Sequence, residues 1–368
     1  MECMAILGRR EVPTDGVHDY CCYLRDALAN EGVNLTLAQV RWAEIGRKAS
    51  RHELLKAIKG KQNALFLLQY TALSWSRRGF ALPAVSILKL LKRTGARCAV
   101  VFHDPDGFAG NRAIDSFRRG IQRYAMKRLV QLSDLAIFTL PRHKISWLPG
   151  DTQNFVFIPV GANLPAPERA WEAHRASDRQ SPVVAVFSLS DKPTLEKEVG
   201  QIAEAVRIAA KDVGPLEVVV LGRNSETGGE DLRAALAGSN VDIRIVGLIS
   251  AEEVVRVLGT CDAMLFARGP ISSRRGSAIA GIACGLPVIA EEGSEIAPPI
   301  TEAGVVLVPE ELVPEGFGPA LVRVLSDQNY RASLAERSRD AQSRYFSWNV
   351  IARQYAQALR SLGTPSRK

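Results

Sequence analysis

Ala263-Met264-Leu265-Phe266-Ala267, followed by Arg268-Gly269-Pro270-Ile271-Ser272-Ser273-Arg274-Arg275-Gly276-Ser277 and then Ala278-Ile279-Ala280-Gly281-Ile282-Ala283-Cys284-Gly285-Leu286-Pro287-Val288-Ile289-Ala290, is the stretch that decides the fold. Its first five residues are an apolar run that suits a buried parallel strand. A polar loop with three arginines and three serines follows. Gly276 to Cys284 is built largely of small residues, so a helix there packs closely on a sheet. Gly285 and Pro287 end that helix, and Val288 opens the next strand. The spacing predicts a strand–loop–helix–strand unit with its loop at the carboxyl edge of a parallel sheet, where open α/β sheets bind ligands. Arg274 and Arg275, beside the free amides of Gly276 and Ser277, suit an anion such as a diphosphate. The alternative is a solvated basic loop between core elements.

The same alternation runs outward in both directions. Strands are expected at Met4 to Gly8, Val33 to Val40, Ala64 to Leu68, Arg97 to Phe102 and Leu135 to Thr139. A second series follows at Val183 to Leu189, Leu216 to Leu221, Ile243 to Val246 and Val305 to Val308. Helical periodicity marks Val17 to Leu28, His52 to Ile58, Ala84 to Arg93, Phe117 to Leu132, Leu195 to Lys211 and Ala251 to Leu258. Repeated βα units predict parallel sheets of doubly wound type. Residues 164–181 are rich in Pro, Ala, Glu, Arg and Ser without periodicity and read as a linker. A low-complexity tail is confined to Thr364 to Lys368.

At 368 residues the chain is long for one domain, and with 46% hydrophobic and 23% charged residues it can bury a sizeable core. No apolar run is long enough to span a membrane, and the first residues lack the pattern of a signal peptide. The six cysteines show no metal or disulfide spacing and read as reduced core residues of a cytoplasmic protein. Cys21 and Cys22 are adjacent on one helix, so one of them is expected to be half-exposed. The net charge of +8 is uneven: residues 1–165 hold 24 Lys+Arg against 13 Asp+Glu, and residues 166–368 hold 23 against 26. The basic first half suits an anionic acceptor or peripheral contact with the inner membrane face. No nucleic-acid motif accompanies the charge.

Several strand ends carry chemistry. The loop Trp75-Ser76-Arg77-Arg78-Gly79-Phe80 follows Gln69-Tyr70 and combines cations with aromatics, which suits a sugar or phosphate group. An exposed loop pinned by its aromatics is the alternative. His103-Asp104 follows the next strand at once, in a functional or a structural role. In the second series Lys192 and Arg223 stand just after strands, and no Asp-x-Asp metal motif does.

The focal segment, through Cys284-Gly285-Leu286-Pro287-Val288-Ile289-Ala290, resembles the donor-binding region of retaining GT-B glycosyltransferases of the family 4 type. Asp15-Gly16-Val17-His18-Asp19-Tyr20 resembles that family's opening glycine loop. Val156 to Asn163 resembles its Ile-Pro-x-Gly crossing, and Tyr345 to Tyr355 its terminal helix. The resemblance implies an α/β protein of GT-B fold, with two doubly wound, Rossmann-like parallel-sheet domains facing a central cleft. Residues 1–165 would be the acceptor side, 166–181 the linker, 182–345 the nucleotide-sugar domain, and 346–368 the helix crossing back. The family's paired glutamates, which hold the donor sugar and the ribose, fall here on Ser272 and Ala280, which marks an atypical branch.

The implied activity is sugar transfer from a nucleotide-diphosphate donor to a glycan, lipid-linked or small-molecule acceptor, with retention and without a metal or cofactor. Gly16, Lys192, Arg223, Arg274, Arg275, Gly276 and Ser277 are the expected donor contacts. His103 and Asp104 are the expected catalytic pair, and His18, Tyr70, Arg77 and Arg78 the acceptor contacts. Two alternatives remain: a catalytically silent relative acting as a binding subunit, and a GT-B sugar-nucleotide epimerase, which needs no acceptor.

Overall fold

The computed structural model describes residues 1–61, 64–107, 113–175 and 181–362. The tail from Thr364 onward and the last part of the expected linker lie outside them. The chain divides into two compact units, Met1–Val160 with Trp348–Lys368, and Gly161–Ser347.

The first unit is built from β1 Glu2–Leu7, α1 Gly16–Asn30, β2 Asn34–Gln39, α2 Trp42–Ile58, β3 Leu65–Tyr70, α3 Ala72–Trp75, α4 Leu82–Lys92, β4 Arg97–Phe102, α5 Ala113–Leu132, β5 Leu135–Phe138 and β6 Phe155–Phe157. Its strands form one parallel sheet in the order β2-β1-β3-β4-β5-β6. Strand β3 is buried along its whole length, as a sheet covered on both faces requires. Helix α2 begins ten residues before the expected His52, at Trp42. Gly46, at φ 80°, interrupts it. Apart from Ser50, the stretch from Glu44 to Glu53 is exposed, so no apolar stripe announced its first turns.

The second unit runs through α6 Arg169–Arg175, β7 Val183–Phe187, α7 Leu195–Val213, β8 Leu216–Leu221, α8 Ser225–Ala235, β9 Val241–Gly247, α9 Ala251–Leu258, β10 Ala263–Phe266, α10 Gly276–Ala283, β11 Val288–Glu291, β12 Val305–Val308, α11 Phe317–Ser326 and α12 Gln328–Ala341. Its parallel sheet has the order β12-β11-β10-β7-β8-β9. The focal strand and helix form as the sequence predicts, and six of the eight residues of α10 are buried. The expected linker is not featureless: it contains α6, whose Trp171 indole donates to the Ala283 carbonyl at 2.9 Å. Helix α8 was masked in sequence by Gly228 and Gly229, poor helix formers. Both are close-packing positions, since a Cβ would stand 2.3 Å from Leu189 Cδ1 and 2.7 Å from Ile245 Cγ1 respectively.

The chain ends in α13 Trp348–Ser361, which belongs to the first unit and packs on α1. The Tyr20 and Tyr355 hydroxyls are hydrogen-bonded at 3.0 Å in the core, and Trp348 stacks on Tyr23 at 5.6 Å. Arg360 adds a bond to the Glu31 carbonyl. Cys21 is buried and Cys22 half-exposed, and all six cysteines are free thiols.

Candidate functional site

The strand order of the second sheet reverses between β7 and β10, because successive strands are added outward on either side of that pair. Loops leaving the two strands at such a point diverge and leave a crevice at the carboxyl edge. After β7 comes Ser188 to Pro193, after β8 Arg223 and Asn224, and after β10 Arg268 to Arg275. The first two loops are locked together. Ser188 (φ 63°) and Asn224 (φ 59°) are non-glycine residues in the left-handed region, a strained state that surrounding bonds must hold. The Asn224 amide supplies them, donating to the carbonyls of Leu189 and Ser190 at 3.2 and 3.1 Å and to Asp191 Oδ1 at 2.8 Å. The Leu189 N–H donates to the Arg223 carbonyl at 2.9 Å.

Behind this scaffold lies a buried carboxylate, Glu198, 4% exposed. Its Oε2 accepts from the Ser190 N–H at 2.8 Å, while Oε1 has no hydrogen-bond partner. Burial raises its pKa, against the opposing pull of the Ser190 bonds and of Arg268. Burial in turn lowers the pKa of Arg268, which also feels Glu198, Arg223 and Asp191. A half-buried guanidinium and a second arginine therefore meet at the strand ends, where positive potential is focused by low-dielectric walls; Lys192 stands exposed on the loop after β7. Arg268 is the principal residue that attention to Arg274 and Arg275 overlooked. Glu198 was legible as an acid within the apolar stripe Leu195, Val199, Ile202 and Val206 of α7.

The two arginines before α10 differ. Arg274 makes a bidentate pair with Glu295, 2.8 Å from Nε to Oε2 and 2.7 Å from Nη2 to Oε1. Burial pushes the Glu295 carboxyl up, but the bonds to Arg274 outweigh it and hold it below its usual range. Arg274 thus has its charge matched by Glu295 within the protein. Arg275 is half-buried, donates from Nε to the Pro270 carbonyl at 3.3 Å, and acts electrostatically on Glu291 at the end of β11. Burial raises the Glu291 pKa, with Glu310 adding to it. No side chain caps the start of α10, where Gly276 is exposed and Ser277 half-exposed. Its first amides keep the character of an anion site. Ser272 and Ala280, which stand where the resembled family has glutamates, are both buried.

In the first unit, the strand order reverses between β1 and β3, and His103 follows β4 nearby. Its Nε2 lies 2.7 Å from Gln69 Oε1, and its ring meets Tyr20 edge-on at 5.0 Å. The Gln69 amide nitrogen is directed to the Leu67 carbonyl, so Oε1 is the acceptor and Nε2–H the donor. Burial lowers the imidazole pKa to about 4, against the opposing influence of Asp15. His103 is therefore a neutral imidazole near pH 7, with Nδ1 carrying the lone pair. Gly16 opens α1, and Asp15 caps that helix by accepting from Val17 N and His18 N at 3.0 Å each and from Glu11 N at 3.1 Å. The amides that the glycine loop would offer an anion are thus largely taken by a side chain. The His18 ring lies half-buried, 3.8 Å from Cys22 Sγ.

Arg77, Arg78 and Asp104 come together around a cavity of about 300 Å³, with Arg118 and Gln122 of α5. Arg118 pairs with Asp115 at 3.0 Å, and Gln122 donates to the Gly79 carbonyl at 2.9 Å. Tyr70 does not join them. It is fully buried against Phe102, with its hydroxyl unpartnered, because the last residue of β3 turns into the core. Among the described residues no group of three or more His, Cys, Asp or Glu side chains is arranged to hold a metal ion, and no helix is long and apolar enough to cross a membrane.

No family profile matches the sequence, and no curated protein matches it. Solved structures do match its fold. Sucrose-phosphate synthase from Thermosynechococcus elongatus is 18% identical, with 99% of each chain covered and a TM-score of 0.65. HepE from Anabaena, solved in complex with UDP and glucose, is 12% identical over 98% of this chain and 100% of its own, also at 0.65. A protein from Listeria monocytogenes described as a candidate UDP-N-acetylglucosamine 2-epimerase is 13% identical over 98% and 96%, at 0.64. The chain therefore has the α/β fold of the GT-B class, with two Rossmann-like parallel sheets.

Proposed function

We propose that this chain is a glycosyltransferase that takes a sugar from a nucleotide-diphosphate donor. The observation that carries this reading is Arg268, half-buried among Arg223, Asp191 and Glu198 at the reversal point of the second sheet. In this reading the donor pyrophosphate lies over Arg268, Arg223 and Lys192, with Arg275 and the amides of Gly276 and Ser277 at its other side. Fixed cations then balance the charge that develops as the sugar–phosphate bond breaks, so the reaction proceeds without a metal. Transfer with retention asks little more of protein side chains, because the departing diphosphate itself takes the acceptor proton. The neutral His103 offers the Nδ1 lone pair to sugar hydroxyls rather than a charge. The cavity of Arg77, Arg78 and Asp104 suits an acidic group on a glycan or lipid-linked acceptor.

Thermal-shift measurements with UDP-, GDP-, ADP- and dTDP-linked sugars test the donor reading, since a ligand of the native state raises the melting temperature by mass action. One of them should stabilise the wild type and leave Arg268→Gln unmoved; a flat response to all four sinks the proposal. Likeness of fold to the Listeria protein favours a second reading, a sugar-nucleotide epimerase. Conversion of the donor without any acceptor would select it over transfer.

A further inference from the structure

A second cavity in the first unit, of about 280 Å³, lies between α2 and α4 and shares no lining residue with the cavity of Arg77, Arg78 and Asp104. Its walls are mainly apolar: Trp42, Trp75, Leu82 and Ile87. Both indole N–H groups are already used on the backbone, Trp42 to the Ser74 carbonyl and Trp75 to the Gln69 carbonyl, each at 2.8 Å. Trp75 is fully buried beneath the cavity floor, and the half-buried Trp42 ring presents apolar surface to an occupant. Arg47 and Arg51 line the same cavity and are exposed. They stand one helical turn apart on the segment that restarts after Gly46. Among the described residues neither guanidinium makes a hydrogen bond or ion pair, and the nearby Glu53 is engaged by Arg41 at 2.8 Å. Like charges at this spacing disfavour a helix, and a bound anion offsets that cost.

We propose that this cavity binds a phosphate monoester carried on an apolar chain, with the phosphate on Arg47 and Arg51 and the chain against Trp42 and Leu82. Paired guanidinium groups match phosphate oxygens in geometry as well as charge. The enclosed volume corresponds to roughly nine waters, room for a chain of several carbons. Such a ligand comes either from a lipid bilayer or from a soluble phosphorylated amphiphile. The site belongs wholly to the first unit and does not depend on the donor reading above.

Calorimetry with hexyl phosphate, butyl phosphate, inorganic phosphate and 1-hexanol tests the proposal. Hexyl phosphate should bind about fifteenfold more tightly than butyl phosphate, since each of the two extra buried methylenes is worth about fourfold. Inorganic phosphate and hexanol should each be weaker than butyl phosphate. An R47Q/R51Q double variant, changed only at exposed positions, should keep its melting temperature and lose the binding of hexyl phosphate. A Leu82→Glu variant should lose the preference for the longer chain. Sedimentation with phosphatidylcholine vesicles containing phosphatidic acid, lost in the double variant, would assign the ligand to a bilayer; binding of hexyl phosphate without sedimentation would assign it to a soluble amphiphile. Equal affinity for all four probes, no binding of hexyl phosphate, or binding unchanged in the double variant overturns the proposal.

Discussion

The protonation of His103 offers a direct test of how its surroundings act. The imidazole is half-buried, donates to Gln69 Oε1 at 2.7 Å and titrates at about 4 rather than at its usual 6.5. The native state therefore binds fewer protons than the unfolded chain between these two values. Stability contributed by the neutral ring is complete above pH 6.5 and is lost as the pH falls through 4. The full difference amounts to about 3 kcal/mol, at 1.36 kcal/mol per pH unit. Replacing Gln69 by Glu sets a carboxylate beside Nε2 and should raise the imidazole pKa by about 1–3 units. Two measurements decide the matter: an NMR titration of the His103 ring, and urea unfolding of wild type and His103→Asn from pH 4 to 8. A ring midpoint near 6.5, or a stability difference between the two proteins that does not change with pH, would refute the account.

Other consequences follow from the same geometry. Arg268→Gln should weaken binding of the stabilising nucleotide sugar by about ten- to a hundredfold, the worth of one charge-assisted contact, as calorimetry would show. Arg274→Gln should act in the opposite sense, leaving nucleotide affinity nearly unchanged while costing about 1–3 kcal/mol in denaturant unfolding, because it strands Glu295. Gly281→Ala places a Cβ 2.6 Å from Met264 Sδ and should destabilise the second unit by about 1–3 kcal/mol through overpacking; an unchanged midpoint in chemical unfolding would contradict the packing described. Tyr355→Phe leaves the Tyr20 hydroxyl without its partner in the core and should cost about 1–2 kcal/mol, visible as a lower melting temperature.

How far the sequence exposes all this depends on whether a feature is local. Helix α9 was legible to the residue, because Ser250 and Glu253 form a capping box ahead of Val254, Val255 and Leu258. The focal strand and helix were legible because apolar runs and glycine–proline stops are short-range signals. Cys21 and Cys22 separated as helical geometry demands. The Arg274–Glu295 pair joins residues 21 apart and has no local signature, so Arg274 read as available. The burial of Tyr70 was not legible because every residue of β3 is buried: where both faces are covered, alternation gives no sign of which way a side chain points. The convergence on Arg268 depends on strand order, and strand order is not written in any one segment.

The placement of α13 bears on biosynthesis. The first unit lacks α13 until Gly161–Ser347, which lies between its two parts, has been made. At about 5–20 residues per second, the surface of α1 that will receive Tyr355 stays open for on the order of 10–40 seconds. During that interval Tyr20 and Leu24 have no cover from α13, and nascent chains emerging side by side are exposed to one another there. A ribosome-bound chain truncated before Trp348 should therefore engage holdase chaperones that the completed protein does not.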